Sequence, residues 1–239
     1  MLTPSERDIT AVVLCGGLGT RLREVLPNKP KILAEINGVP FVYYLLRKIE
    51  KTGCRKVILC TGHLAEQVEN LLGNKYRELA IVYSKESNPI GTGGALRNAK
   101  QYITTNYALV MNGDSFVEYD FRDYYNWHIK VGAKLSMIVK EISDTSRYGS
   151  LSLSAEGQIT KFQEKVCDYK REGKFINVGV YLMDHRILQK IPKKLPVSLE
   201  KEVFPKLLSD GVFGYRIDGR FIDIGTPQSL AEAQEYFRQ

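Results

Sequence analysis

A short apolar run that empties into a glycine-rich loop constrains this chain more than any other feature. Ala11-Val12-Val13-Leu14-Cys15 shows no polar alternation. As a strand it needs cover on both faces, the condition of a parallel sheet between helices. It leads directly into Gly16-Gly17-Leu18-Gly19-Thr20-Arg21-Leu22-Arg23, and Lys29 and Lys31 follow after a few residues. Glycines let the backbone approach a ligand closely and turn successive N–H groups into one anion-holding concavity. Thr20 adds a hydroxyl, and Arg21 and Lys31 add positive charge. Such a loop suits a polyphosphate. It lacks the Gly-Lys-Ser/Thr ending of a Walker loop, and Leu22 stands where a dinucleotide fingerprint needs glycine.

The rest of the chain alternates strand and helix. Phe41, Val42, Leu45, Leu46 and Ile49 make one stripe of a helix over 40–52, opened by Pro40 and closed by Gly53. Strands are predicted at Lys56–Cys60, Ile81–Tyr83 and Ala108–Met111, with a helix at Ala65–Leu72. That order predicts a parallel sheet whose ligands gather at the carboxyl ends of the strands. The glycine loop, the segment after Tyr83 and Asn112-Gly113-Asp114 all fall at that edge. Beyond residue 133 the pattern changes to strands at Leu135–Val139, Ser150–Leu153, Ile159–Phe162 and Ile176–Leu182, read as a mixed sheet. Helices are expected at Leu199–Leu208 and Pro227–Phe237. The fold class expected is α/β, with a Rossmann-like, mostly parallel or mixed central sheet flanked by helices.

Composition excludes several classes of function. At 239 residues, 44% hydrophobic and 26% charged, the chain can bury one substantial core. No apolar run approaches the ~20 residues of a membrane span, and no secretory leader opens the sequence. Cys15, Cys54, Cys60 and Cys167 have neither zinc-site nor disulfide-framework spacing, which fits a cytoplasmic protein. The net charge of +7 is dispersed, without a basic stripe interleaved with aromatics, so nucleic acid is not the expected partner. Anionic small substrates account for it equally well. His63, His128 and His185 sit in no metal or triad spacing and are read as structural, as is Trp127.

Gly16-Gly17-x-Gly19-Thr20-Arg21-Leu22 followed by Pro30-Lys31 resembles the signature of sugar-1-phosphate nucleotidyltransferases, and the likeness runs through nearly the whole chain. The resemblance implies one nucleotidyltransferase domain, with a nucleotide half at about 9–132 and a sugar half at about 133–239. It implies no C-terminal β-helix of the kind longer relatives carry. Leu14, Gly16, Gly17, Gly19, Thr20, Arg21, Glu86, Gly91, Thr92, Asn112 and Gly113 are then the nucleotide-binding set. Glu86-Ser87-Asn88-Pro89-Ile90-Gly91-Thr92-Gly93-Gly94-Ala95 resembles the nucleobase segment. The helix after it is expected to aim its N-terminus into the site. A carboxylate at Glu86 only accepts, which matches the adjacent N1–H and N2–H₂ donors of guanine. Pyrimidine-using relatives often carry glutamine there. Asp114 and, within Phe221-Ile222-Asp223-Ile224-Gly225-Thr226-Pro227, Asp223 inherit the role of Mg²⁺ ligands. Gly149, Glu164, Lys165, Asn177 and Gly179 inherit the sugar site. Arg21, Lys31, Asp114 and Asp223 are the catalytic set.

The implied reaction joins a nucleoside triphosphate to a sugar 1-phosphate and releases pyrophosphate. Asp144-Thr145-Ser146-Arg147-Tyr148-Gly149 and Ser198-Leu199-Glu200-Lys201 are most like family members that combine GTP with D-glycero-D-manno-heptose 1-phosphate for surface polysaccharide. Mannose 1-phosphate with GTP, and N-acetylmuramate 1-phosphate with UTP, are the alternatives. A non-catalytic nucleotide-sensing subunit is a different class, in which Lys31 or an aspartate would be missing; all three are present. A homodimer would be unsurprising.

Overall fold

A computed structural model describes residues 8–17, 19–22, 25–142, 148–163 and 174–238. Four parallel strands form its centre, in the spatial order Tyr107–Asn112, Ile9–Leu14, Lys56–Thr61, Leu79–Lys85. Their side chains divide by parity. Ala11, Val13, Val57 and Leu59 face a core built with the helices Phe41–Glu50 and Ala65–Leu72. Val12, Ile58 and Val110 face a second core that includes Leu96 and Ala99 of the helix Gly91–Ala99. Cover on both sides is why these strands read as unbroken apolar runs.

The sheet continues past Tyr107–Asn112 through the antiparallel strand Phe175–Asp184. That strand also pairs with Leu135–Glu141 and with Ser150–Leu153, which in turn pairs with Ile159–Gln163. A strand that the sequence pattern did not signal, Val212–Ile217, lies parallel to Leu135–Glu141. With the two-residue strand Lys75–Tyr76, antiparallel to Leu79–Lys85, ten strands among the described residues run through one mixed sheet. The stretch expected to be helical at Leu199–Leu208 is so with a changing pitch: a π turn, Leu199–Val203, then a short α turn, Phe204–Leu207, then a 3₁₀ turn, Leu208–Asp210. Pro205 has no N–H with which to continue an α ladder, which accounts for the change of pitch.

Register sets the site. Leu14 stands opposite both Cys60 and Asn112, and Cys60 opposite Ser84, so the four parallel strands end level. Ladder bonds then carry over into the loops: Cys15 N–H to Cys60 O at 3.0 Å, Gly113 N–H to Leu14 O at 2.8 Å, Glu86 N–H to Thr61 O at 2.9 Å. The glycine loop, the base segment and the Asn112–Asp114 turn are thereby pinned to one edge. Among the described residues no helix is long and apolar enough to cross a membrane.

Candidate active site

A crevice of about 370 Å³ lies along that edge. All thirteen residues expected to hold nucleotide or act on it from the first half of the chain line it: Leu14, Gly16, Gly17, Gly19, Thr20, Arg21, Lys31, Glu86, Gly91, Thr92, Asn112, Gly113 and Asp114. Cys15, Ile32, Pro89, Ala95 and Gly225 also line it. Pattern reading passed over these because none carries a charged, hydroxyl or amide side chain.

At one end sits Glu86. A Cβ on Gly16 would fall 2.7 Å from Glu86 Oε1, so the carboxylate occupies the space that a side chain at 16 would take. Glu86 Oε2 is buried and has no hydrogen-bond partner. Burial pushes the Glu86 carboxyl above its ordinary range, opposed by the Ile90 backbone N–H. An acceptor withdrawn from water and left unpaired is costly unless a ligand supplies donors. The neighbouring helix, Gly91–Ala99, brings its first residues, Gly91 and Thr92, into the crevice wall as expected. The N–H groups of Gly93 and Gly94 donate to Val197 O at 2.9 and 3.2 Å, so they are spent within the protein rather than left for an anion. Thr92 is likewise engaged: its hydroxyl accepts from Leu199 N–H and donates to Glu200 Oε2.

Charge gathers at the other end. Lys31 leaves a 3₁₀ turn, Lys31–Leu33, that is fastened by the buried Ile32 and Leu33. Its ammonium donates to Asp114 Oδ2 at 2.6 Å. A two-stranded ribbon of Ser115–Val117 against Phe221–Asp223 sets Asp223 opposite Ser115, and Ile224 N–H bonds to Asp114 O at 2.8 Å. Residues 109 positions apart in sequence thus share one corner. Asp223 Oδ1 accepts from Gly225 N–H at 2.7 Å and Ser229 Oγ at 3.2 Å, and Oδ2 accepts from the Tyr148 hydroxyl at 2.7 Å. A Cβ on Gly225 would sit 2.6 Å from Asp223 Oδ1, 3.4 Å from Lys31 Nζ and 3.7 Å from a terminal nitrogen of Arg21. Both cations and Asp223 therefore surround one point.

Among the described residues no three His, Cys, Asp or Glu side chains converge as a self-sufficient metal cage. Two all-oxygen carboxylates that leave the remaining positions to phosphates and water do fit a hard divalent cation.

Of the sugar-side residues, Gly179 lies against Asn112, whose Nδ2 would be 2.6 Å from a Cβ at 179. Asn177 Oδ1 accepts from Gly179 N–H at 2.9 Å. Gly149 follows Tyr148 at the entrance to Ser150–Leu153. Glu164 and Lys165, like Arg147 and Cys167, lie outside the described residues. His128 is buried with Nδ1 2.6 Å from Ser136 Oγ, and Trp127 packs on Tyr124, Phe213 and Tyr215. Neither reaches the crevice.

Comparison with known proteins gives this arrangement a family. The nucleotidyl transferase model matches residues 10–239. The chain belongs to that family. It is 35% identical over 226 residues to a D-glycero-alpha-D-manno-heptose 1-phosphate guanylyltransferase of Aneurinibacillus thermoaerophilus, covering 94% of this chain and 96% of the relative. It is 33% identical to a mannose-1-phosphate guanylyltransferase of Mycobacterium tuberculosis, covering 95% of this chain and 64% of that one. The crystal structure of HddC from Yersinia pseudotuberculosis complexed with GMP-PN superposes with a TM-score of 0.81 at 31% identity, covering 95% and 99% of the two chains. Nucleotidyl transferases of this family generally use a divalent metal.

Proposed function

We propose that this chain is a sugar-1-phosphate guanylyltransferase that joins GTP to D-glycero-α-D-manno-heptose 1-phosphate, yielding a GDP-heptose and pyrophosphate. One observation carries the reading. Glu86, half-buried and with Oε2 buried and unpartnered, ends a glycine-lined crevice whose far end is lined by Arg21, Lys31, Asp114 and Gly225, with Asp223 against Gly225. Guanine supplies two adjacent N–H donors for the first end, and a triphosphate supplies the negative charge for the second.

In the reaction, an oxygen of the sugar phosphate forms a bond to the α-phosphorus of GTP as the bond to the bridging oxygen of pyrophosphate breaks. The attacking phosphate is ionised near neutral pH, so no general base is required. What this chain supplies is alignment and charge neutralisation. The glycine-loop N–H groups and Arg21 hold the departing pyrophosphate, Lys31 meets the α-phosphate, and Glu86 orients the base. Asp114 and Asp223 would hold Mg²⁺, which would supply neutralisation of phosphate charge. Gly149, Asn177 and Gly179, with Glu164 and Lys165, take the sugar. In this reading residues of about 9–132 serve the nucleotide and those of about 133–239 the sugar, within one domain. The unpaired thiols of Cys15, Cys54 and Cys60 agree with a reducing cytoplasm.

Mannose 1-phosphate is the second reading, favoured by the comparable identity to the mycobacterial mannose enzyme. The two sugars differ by one hydroxymethyl group, a difference that a pocket resolves by only ~1–3 kcal/mol unless it bonds the added hydroxyl. The test is a grid of four nucleoside triphosphates against a panel of sugar 1-phosphates, read by pyrophosphate release. GTP with the manno-heptose phosphate should give the highest kcat/KM; release with no combination would overturn the assignment.

A further inference from the structure

The segment Val197–Glu200 lies outside the expected site, yet it secures the base segment. Val197 O takes the Gly93 and Gly94 N–H groups, and Val197 N–H donates to Ile90 O at 2.9 Å. The π turn Leu199–Val203 begins there, a rare geometry that recurs at functional positions. From it, Glu200 Oε2 accepts from Thr92 Oγ1 at 2.7 Å and from Ser198 Oγ at 2.9 Å. Its Oε1 accepts from the Tyr181 hydroxyl at 3.3 Å. The Tyr181 hydroxyl accepts from Asn177 Nδ2 at 2.8 Å, and Asn177 Oδ1 accepts from Gly179 N–H. Tyr181 is fully buried. An unbroken run of hydrogen bonds therefore leads from Thr92, in the crevice wall, to Gly179 on the sugar side.

We infer that Glu200 and Tyr181 are positioning residues that couple the nucleotide site to the sugar-phosphate site; this rests on the guanylyltransferase reading. A half-buried carboxylate taking three hydroxyl donors orients each of them. A ligand that orders one end of the run leaves less to be ordered by the second ligand, so each tightens the other. Linkage makes that effect equal in both directions.

Calorimetry tests it. The Kd of D-glycero-α-D-manno-heptose 1-phosphate is measured with and without saturating α,β-methylene GTP and Mg²⁺. In the unaltered protein the analogue should tighten sugar-phosphate binding by about tenfold. Tyr181→Phe, which removes one hydroxyl from a filled site, and Glu200→Gln should each cut that factor to about twofold or less. Nucleotide binding by itself should move less than about threefold in either variant. A factor near one in the unaltered protein, or an unchanged factor in both variants, overturns the coupling. Loss of nucleotide binding by itself in both variants also overturns it, because the run would then be scaffold alone. Failure of the unaltered protein to bind the GTP analogue removes the guanylyltransferase reading as well, whereas nucleotide binding without coupling removes only this inference.

Discussion

Replacing Glu86 by glutamine tests the base assignment with a single atom's change. The native carboxylate is partly withdrawn from water, and Oε2 lacks a partner. Guanine would give it two charge-assisted bonds, each worth roughly 1.5–3 kcal/mol. Glutamine keeps one acceptor but turns an N–H₂ toward a guanine donor, so both bonds are impaired. The loss of about 3 kcal/mol or more corresponds to a fall in kcat/KM for GTP of at least about 10²-fold. Uracil and thymine offer one ring N–H beside carbonyl oxygens, which an amide can complement, so UTP use should rise relative to GTP. Pyrophosphate release with each nucleotide gives the ratio directly. A second signature comes from pH. Because burial raises the Glu86 carboxyl, kcat/KM for GTP should decline on the acid side at a higher pH than an ordinary carboxylate gives, and Glu86→Gln should lack that limb. The variant should also be at least as heat-stable as the parent, since a buried unpaired acceptor loses its charge. A GTP-to-UTP ratio that stays within threefold of the parent's would refute the reasoning.

Three further outcomes follow from the same geometry. Lys31→Ala and Asp223→Asn should each lower kcat by roughly 10²–10³-fold while circular dichroism stays native, because each removes a preorganised charge from the reacting phosphates; near-normal turnover in either removes that residue from the mechanism. Gly225→Ala should drive the Asp223 carboxylate aside, since the new methyl would lie 2.6 Å from Oδ1, and steady-state assays should show kcat down by at least about tenfold, an unchanged kcat being the disproof. His128, buried and pushed down to about 4 chiefly by desolvation, takes up a proton more readily when unfolded. Stability should thus be complete above about pH 6.5 and fall toward pH 4, by up to about 3 kcal/mol; denaturant melts of a His128→Asn variant should show a flatter acid limb, and an equally steep one would contradict the burial argument.

What the sequence disclosed was governed by local signals. Val12, Ile58 and Val110 announce a doubly covered sheet because each strand carries its whole apolar pattern within six residues. The glycine loop is legible in the same way, from its own run of residues. The ribbon joining Ser115–Val117 to Phe221–Asp223 has three-residue strands, too short for any periodicity, so only a family resemblance pointed to Asp223. The role of Val197 was illegible for another reason: its carbonyl does the bonding, and a carbonyl leaves no mark on residue identity. Glu200 stood in the sequence within Ser198-Leu199-Glu200-Lys201, a stretch that carried a family likeness but no assigned role. Its three hydroxyl partners come from positions 92, 181 and 198, two of them remote.

The short ribbon also sets a timetable for the growing chain. A ribosome can release the glycine loop, Lys31 and Asp114 long before the segment bearing Asp223 emerges, and pairings across so many residues close late. Until then Asp114 has Lys31 beside it but not Asp223, so the charged corner of the crevice is completed only when the last strand of the chain arrives.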